Sequence, residues 1–451
     1  MTENIAENKM GIMPVGTLLV NMSLPIVISM FIQALYNVVD SYFVAKIGEN
    51  ALTAVSLAFP VQNLIISIAV GTGVGINSLL SKSLGEKNFA LANKTANNGV
   101  FLGFASYIFM LAMGAFFSGF YFKVQTDIPE VVVEGTKYIR ICTMLSIGVY
   151  GQITFERLLQ ATGKTFLSMV TQATGAVINI ILDPILIFGL AGFPSMGVTG
   201  AAVATVFGQI CSATIGIILN LKCNHEIKLD FKGFKPDIHI IKRIYSVGFP
   251  SILMRALTSV TTFGMNAILL TFSSTATAVF GVFYKLQSFV LMPILGLNNG
   301  MVPILAYNYG ARKKERILKT IKLALTFGVC VMTAGLIVIQ TQTTAILMLF
   351  NASDNMLAIG IPALRILSIH FLLGGFPIVL NAVFQAFGKG FYSLTVSLSR
   401  QLVILLPAAF VLSKLGGLTW VWWAFPIAEI GSISACAVFM HRVYIKQIRN
   451  L

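Results

Sequence analysis

The chain has 451 residues, of which 56% are apolar and only 10% charged, and its formal net charge is +15. A soluble domain has roughly a quarter of its residues charged, so the composition excludes a string of water-soluble domains. The basic surplus alternates with apolar runs and forms no single stripe, which sets aside a nucleic-acid partner.

A membrane-spanning helix needs about 20 mostly apolar residues. In chain order such runs are predicted near 17–43, 53–80, 97–122, 138–160, 165–190 and 199–221. They recur near 246–272, 278–306, 320–350, 360–386, 391–413 and 420–441. The expected fold class is therefore an all-α integral membrane protein of twelve transmembrane helices. No cleavable signal is expected, because residues 1–16 carry Glu3, Glu7 and Lys9 and the first apolar run is too long for a signal's apolar region.

The placement of the basic residues orients the spans. With the N-terminus in the cytoplasm, the inward segments hold Lys82, Lys87 and Lys94, then Arg157 and Lys164, then the basic stretch 222–243. They continue with Arg312, Lys313, Lys314, Arg316, Lys319 and Lys322, with Lys389, and with Arg442, Lys446 and Arg449. The outward segments hold Lys46, Lys123, Lys137 and Lys414, with Arg140 and Arg365 at outer helix ends. This is the positive-inside pattern. It predicts a multi-pass protein of a cytoplasmic membrane, both termini cytoplasmic, with anionic lipid attracting the inner loops.

Slid along itself until Pro25 lies on Pro250, the sequence matches itself at one constant offset. Gln62 then meets Gln287, Gly71 meets Gly296, Gly75 meets Gly300 and Gly85 meets Gly310. Arg140 meets Arg365, Gln160-Ala161-Thr162-Gly163-Lys164 meets Gln385-Ala386-Phe387-Gly388-Lys389, and Ser168 meets Ser393. Six spans return the chain to its starting side, so the copies are parallel-oriented, as in transporters that bind substrate between two halves. The predicted organisation is an N-terminal six-helix lobe (1–221), a cytoplasmic linker (222–243) and a C-terminal six-helix lobe (244–451).

Several motifs fail on context. Gly71-Thr72-Gly73-Val74-Gly75 lies inside a span, where small residues let helices pack closely. Gly163-Lys164-Thr165 resembles the end of a P-loop, but Leu158 stands where the first glycine belongs. Its copy, Gly388-Lys389-Gly390, reads as a repeated turn between helices. With no nucleotide, zinc or nucleophile motif, no catalytic residue is expected and neither is a cofactor; a membrane-embedded enzyme would need a clustered nucleophile or base. The five cysteines lie singly and read as packing residues. Trp420, Trp422 and Trp423 read as an interfacial anchor.

Charges at bilayer depth are costly and mark function by default. The acidic candidates are Asp40, Glu156, Asp183 and Glu429, and the basic ones are Arg255, Lys285 and Arg400. Asn179 and Asp183 are four apart and share a helix face, and Pro184 frees a backbone carbonyl beside them. Two carboxylates with an amide and a loosened backbone suit a proton or a small hard cation. The plainer alternative has Asp40 reaching the outer interface and Asp183 bonding local backbone. Glu156, beside Arg157, reads equally well as part of an ion pair at a helix end. At the repeat offset Asp40, Glu156 and Asp183 face Met265, Asn381 and Ala408, so apart from Glu429 the acids are confined to the N-terminal lobe.

Five segments carry a resemblance: Ser23-Leu24-Pro25-Ile26, Tyr36-Asn37-Val38-Val39-Asp40-Ser41-Tyr42, Leu159-Gln160-Ala161-Thr162-Gly163, Asn179-Ile180-Ile181-Leu182-Asp183-Pro184 and Gly200-Ala201-Ala202-Val203-Ala204-Thr205. On these residues the chain resembles the multidrug and toxic compound extrusion (MATE) family, most of all its MepA-like bacterial branch. The resemblance implies a secondary antiporter that exports amphipathic, often cationic drugs or toxins in exchange for H⁺ or Na⁺. It implies a coupling-cation site at Asp40, Asn179, Asp183 and Thr205, with Asp40 and Asp183 as the candidate Na⁺ ligands, and bending of the first span at Pro25. Tyr36, Asn37, Arg255, Gln287 and Glu429 are the candidate cavity residues. Some branches carry further acids in the seventh and tenth spans, where this chain has Arg255, Thr258, His370 and Asn381, so coupling through the N-terminal lobe is expected. The expected partners are lipid and small amphipathic substrates, and the expected state is a monomer. The alternative within the superfamily is a lipid-linked oligosaccharide flippase, for which Arg255, Lys285 and Arg400 would line a cationic cavity.

Overall fold

The structure is a computed structural model that describes residues 7–230 and 232–451; Glu3 of the sequence argument lies outside them. Among the described residues the regular structure is all helical, without a strand. A short α1 (Lys9–Ile12) precedes α2 (Val15–Ala45), α3 (Glu49–Gly85), α4 (Phe89–Gln125), α5 (Pro129–Met144), α6 (Ile147–Ala161), α7 (Thr165–Phe188) and α8 (Gly197–Cys223). Then come α9 (Ile238–Leu270), α10 (Ser274–Gly310), α11 (Lys314–Leu349), α12 (Asp354–Ala386), α13 (Gly390–Leu398), a π-helical segment (Ser399–Leu405), α14 (Leu406–Val421), α15 (Ala424–Val443) and a terminal π-helical turn (Tyr444–Ile448).

Among the described residues, eleven helical stretches are long and apolar enough to cross a membrane. The twelfth span is α5 followed by α6, with the helix interrupted at Leu145 and Ser146. Its first three turns carry Glu130, Glu134, Lys137 and Arg140, which is why the apolar run starts late in the sequence. All twelve predicted runs fall on these helices, and most helices extend several residues further.

The internal repeat holds down to single turns. Lys87 and Arg312, which pair at the repeat offset, both adopt φ +55° between consecutive helices. The next amides, of Asn88 and Lys313, donate to the carbonyls of Ser83 and Asn308 at 2.9 Å. Gly163 and Gly388 likewise turn the chain at φ +87° and +73°, and Lys164 and Lys389 donate back to Leu159 and Phe384 at 2.7 and 2.8 Å. The lysine-bearing glycine motif is thus a helix-to-helix turn that appears twice.

Two compact units emerge. Unit 1 comprises the described residues of Met1–Lys9 with Leu24–Gly248, and unit 2 comprises Met10–Ser23 with Phe249–Leu451. Helix α2 therefore begins in unit 2 and continues in unit 1 from Leu24, beside Pro25, while α9 begins in unit 1 and continues in unit 2 from Phe249, beside Pro250. The two changeovers are equivalent positions of the repeat, since Leu24 pairs with Phe249 as Pro25 pairs with Pro250.

Glycines make both arms fit. In unit 1, a Cβ on Gly75 would stand 2.1 Å from the Ile244 carbonyl oxygen, and one on Gly248 would stand 3.1 Å from the Gly71 carbonyl oxygen. In unit 2, a Cβ on Gly300 would stand 2.6 Å from Ser23 Oγ. The repeated glycines of α3 and α10 let the backbone of the arm approach closely. The unit 2 arm is also tied by its carbonyls: Asn308 and Arg316 donate to Met10 at 3.0 Å, Arg316 to Met13 at 2.7 Å and Lys313 to Gly11 at 2.9 Å.

Within unit 1 the polar linker runs along the start of α4. Asn93 and Asn97 accept from the backbone amides of Lys228 and Asp230 at 2.7 and 3.2 Å, and Asn98 accepts from Asp237 at 2.9 Å. The Asn8 side chain donates both to the Thr162 carbonyl and to Glu226. Burial pushes the Glu226 carboxyl above its usual range, against Asn8, Lys164 and Lys9, which hold it down. Burial also lowers Lys9, with Lys164 adding to the effect and Glu226 opposing it.

The tryptophans differ from expectation. Trp420 and Trp423 are exposed, as an interfacial anchor requires, but Trp422 is only 1% exposed and fills the interior of unit 2. Cys142 and Cys436 are buried packing residues, Cys211 and Cys223 are partly buried, and Cys330 is exposed.

Candidate functional site

Helix α7 places Asn179 and Asp183 one turn apart on a buried face, and α8 brings Thr205 to it. The two helices close on Gly175 and Gly208: a Cβ on Gly208 would lie 2.7 Å from the Gly175 carbonyl oxygen and 3.3 Å from Asn179 Cβ. Ser212 of α8 also donates to the Thr171 carbonyl at 2.9 Å. With the helices this close, the Asn179 amide bridges Asp183 and Thr205. Its nitrogen stands 3.3 Å from both Asp183 Oδ1 and Thr205 Oγ1. With the amide turned over, the nitrogen donates to Asp183 Oδ2 at 3.0 Å and the oxygen accepts from the Thr205 amide at 3.1 Å.

From α2, Asp40 comes beside Asp183 and acts on it electrostatically, and Tyr36, one turn earlier, lies beside Thr205. Asp40 Oδ1 is buried and accepts no hydrogen bond among the described residues. Two carboxyls, an amide and two hydroxyls thus gather from α2, α7 and α8 inside unit 1. Pro184 follows Asp183 directly and supplies no amide to the Ile180 carbonyl one turn back. The four residues assigned to coupling by resemblance stand together, and Tyr36 joins them.

Three further residues belong to this neighbourhood and were not among the site candidates. Gln62 of α3 donates to the Tyr138 hydroxyl of α5 at 3.0 Å and reaches Cys142 Sγ at 3.9 Å. Asp40 acts electrostatically on both Tyr138 and Cys142. Gln62 stood out in the sequence only as half of a repeated pair, and Tyr138 carried no signal there.

The other candidates are dispersed. Pro25 lies in α2 with its carbonyl bonded by Ser29 Oγ at 2.9 Å, and Asn37 is exposed. Glu156 accepts from Gln152 at 3.0 Å, and Arg157 turns to Gln160 at 2.9 Å. In unit 2, Arg255 is exposed on α9, and Lys285 lies over the Phe350 ring at 5.7 Å. Gln287 contacts His370 Nε2 at 3.0 Å, while His370 Nδ1 lies 2.5 Å from the Leu367 carbonyl oxygen. This fits a ring that donates through Nδ1 and accepts at Nε2. Glu429 forms an ion pair with Arg400.

Comparison with known proteins decides the family. The MatE family model matches residues 25–185 and again 250–411, so its two matches start on the paired prolines of the repeat. The chain belongs to the MatE family.

Its relatives include the multidrug export protein MepA of Staphylococcus haemolyticus (strain JCSC1435), 27% identical over 433 residues, covering 96% of this chain and 93% of the relative. MepA of Staphylococcus aureus (strain MSSA476) is 26% identical and covers 94% and 92%. Among solved structures, an outward-facing multidrug resistance MATE transporter of the MOP superfamily superposes with a TM-score of 0.89 at 26% identity, over 97% of this chain and 98% of that one. A MOP superfamily transporter from Pyrococcus furiosus, described as having a binding pocket of reverse polarity, gives 0.87 at 26% identity over 96% and 97%. This MATE chain is accordingly a multi-pass, two-lobe membrane transporter of the multidrug efflux family.

Proposed function

We propose that this MATE protein is a secondary antiporter that exports amphipathic, often cationic compounds and takes up H⁺ or Na⁺ in exchange. The observation that carries this reading is the meeting of Asp40 and Asp183 beside Asn179 and Thr205. Two buried carboxylates at this separation repel one another unless a cation stands between them. The unpartnered Oδ1 of Asp40 supplies an acceptor for it. Among the described residues no three His, Cys, Asp or Glu side chains gather at one point, so two carboxyls with neutral oxygens make up the donor set. Such a set suits a proton or Na⁺ better than a transition metal.

Asp40 and Pro25 share α2, so cation occupancy would act on the helix that Pro25 makes easier to bend. An external cation would neutralise the pair, favour the bent α2 and disfavour bound substrate; substrate entering from inside would reverse the sequence. Exchange needs only that the two occupants prefer different states of the transporter. The net charge of +15, concentrated in alternate loops, supports residence in a bacterial cytoplasmic membrane with both termini inside. A monomer suffices, because one chain carries the whole donor set.

The test is efflux of ethidium from proteoliposomes under an imposed pH or Na⁺ gradient. One gradient should drive efflux, and Asp40→Asn or Asp183→Asn should abolish that dependence. Gradient-driven efflux unchanged in both variants would overturn the reading.

A further inference from the structure

Asn179 and Thr205 meet across two neighbouring spans of unit 1, α7 and α8. The repeat identifies the equivalent spans of unit 2: α7 starts at Thr165 and α13 starts at Gly390, and the span that follows, α15, takes the place of α8. On these spans the polar groups that meet are Arg400 and Glu429. Arg400 stands one helical turn before Ile404, the equivalent of Asn179, and Glu429 falls opposite Gln209 once a five-residue gap is allowed, one helical turn beyond the position of Thr205.

The surroundings of Glu429 are those of a cation site. Its carboxylate is 1% exposed, and neither oxygen accepts a hydrogen bond from any other group among the described residues. Ser432, three residues on and on the same helix face, is also buried with its hydroxyl unpartnered. A carboxylate and a hydroxyl that lack donors form the kind of donor set found around Asp40. Here, however, a cation is already present, the guanidinium of Arg400, whose side chain is 24% exposed while its partner's is enclosed. Gly374 of α12 backs onto the carboxylate, where a Cβ would lie 3.6 Å from Oε1. Arg400 lies in the π-helical segment Ser399–Leu405, in which the Leu406 amide bonds the Gln401 carbonyl five residues back. Such widened turns recur at functional sites. The other titratable groups near the pair are His370 on α12 and Cys436 on α15. On α14 the charged side chain is Lys414, over the Phe410 ring.

We propose that Glu429 and Ser432 are the cation site of unit 2 and that Arg400 fills it as a tethered cation, which confines ion exchange to unit 1. The proposal rests on the antiport reading above and adds the residue that limits how many ions take part. A guanidinium on the chain cannot leave, so it neutralises Glu429 in every state of the cycle. An ion that never dissociates cannot be exchanged.

The test counts cations bound to the full-length purified protein at equilibrium. Protons are followed by the infrared band of a protonated carboxyl group, and Na⁺ by equilibrium dialysis. Arg400→Met should bind one more cation per chain than the parent, as a proton or as Na⁺ according to which readout changes. Arg400→Lys should show no gain, and Arg400→Met combined with Glu429→Gln should lose the gain. No additional cation in Arg400→Met, or a gain that survives Glu429→Gln, would overturn the proposal. Should Arg400→Met fail to fold, Arg400→Ala purified with free guanidinium ion decides instead. Guanidinium should raise its thermal stability but not that of Arg400→Ala combined with Glu429→Gln; equal effects on both would overturn the proposal. Because binding is read without transport, failure of gradient-driven efflux in the parent would defeat the antiport reading and leave the cation count to be decided separately.

Discussion

Gly75 lies so close to Ile244 that a Cβ would fall 2.1 Å from the Ile244 carbonyl oxygen. Helix α3 can meet the first turns of α9 only because residue 75 has no side chain. Gly75→Ala should therefore force the two backbones apart and destabilise the protein by about 1–3 kcal/mol, the usual cost of overpacking. Gly300→Ala should act alike at Ser23. Gly281 on α10 has open space around its would-be Cβ, so Gly281→Ala should be neutral or slightly stabilising. Thermal unfolding of the purified variants in detergent checks all three.

Asn179 holds Asp183 and Thr205 in register, whichever way its amide is turned. On the antiport reading it is a positioning residue for the coupling ion. Asn179→Ala should weaken apparent cation affinity roughly 10- to 100-fold, as removal of a supporting hydrogen bond does at an ion site. Efflux at saturating cation should stay near the parent rate. Measuring efflux against cation concentration separates this from a general loss of folding, which would lower the maximum instead.

Pro25 follows the point where α2 changes units. It withholds one amide from the helix ladder and so makes that turn easier to bend. Pro25→Ala restores the donor and should slow gradient-driven efflux while leaving equilibrium cation binding intact. Loss of cation binding in this variant would instead place Pro25 in the support of the Asp40 site.

The docked linker should respond to pH through Glu226. Its folded value is raised by burial above the ordinary 4.5, so its contribution to docking is complete below that value and is lost as pH rises through the raised one. Lys9, lowered from 10.5, contributes oppositely: its share is present above that value and is lost as pH falls through the lowered one. Hydrogen-exchange protection of residues 224–230, corrected for intrinsic rates, should fall as pH rises from the acid side. Glu226→Gln keeps an acceptor for Asn8 and should flatten that fall.

The twelve spans were legible because apolar runs of this length have few other uses. The late start read for the fourth span traces to Glu130, Glu134, Lys137 and Arg140, which conceal α5 from a hydropathy reading. Asp40, Asn179 and Asp183 stood out because carboxylates and amides are conspicuous in apolar helices, whereas Thr205 came only from the family resemblance. Tyr138 and Gln62 were not, since an aromatic or an amide at a helix surface is ordinary until its partner is known. Arg400 was visible as a charge, but its pairing with Glu429 depends on the contact between two spans, which an offset comparison does not supply. The exchange of arms at Ser23 and Gly248 was hidden for a related reason: the repeat aligns the two segments with each other, not with the unit each packs into.

That exchange constrains the order in which the protein is made. Residues Met10–Ser23 leave the ribosome long before Gly300, near the end of the eighth span, which forms part of the glycine seat they occupy. The groove beside Gly71 and Gly75 likewise stays open until the start of α9 has been synthesised. Neither half can therefore close while it is being threaded into the membrane, although domains generally fold as units in order of synthesis. A nascent chain cut after Cys223 would expose a bare backbone groove to lipid and to quality-control proteases. Two half-chains made together and divided in the linker would each bring the arm that the other is missing.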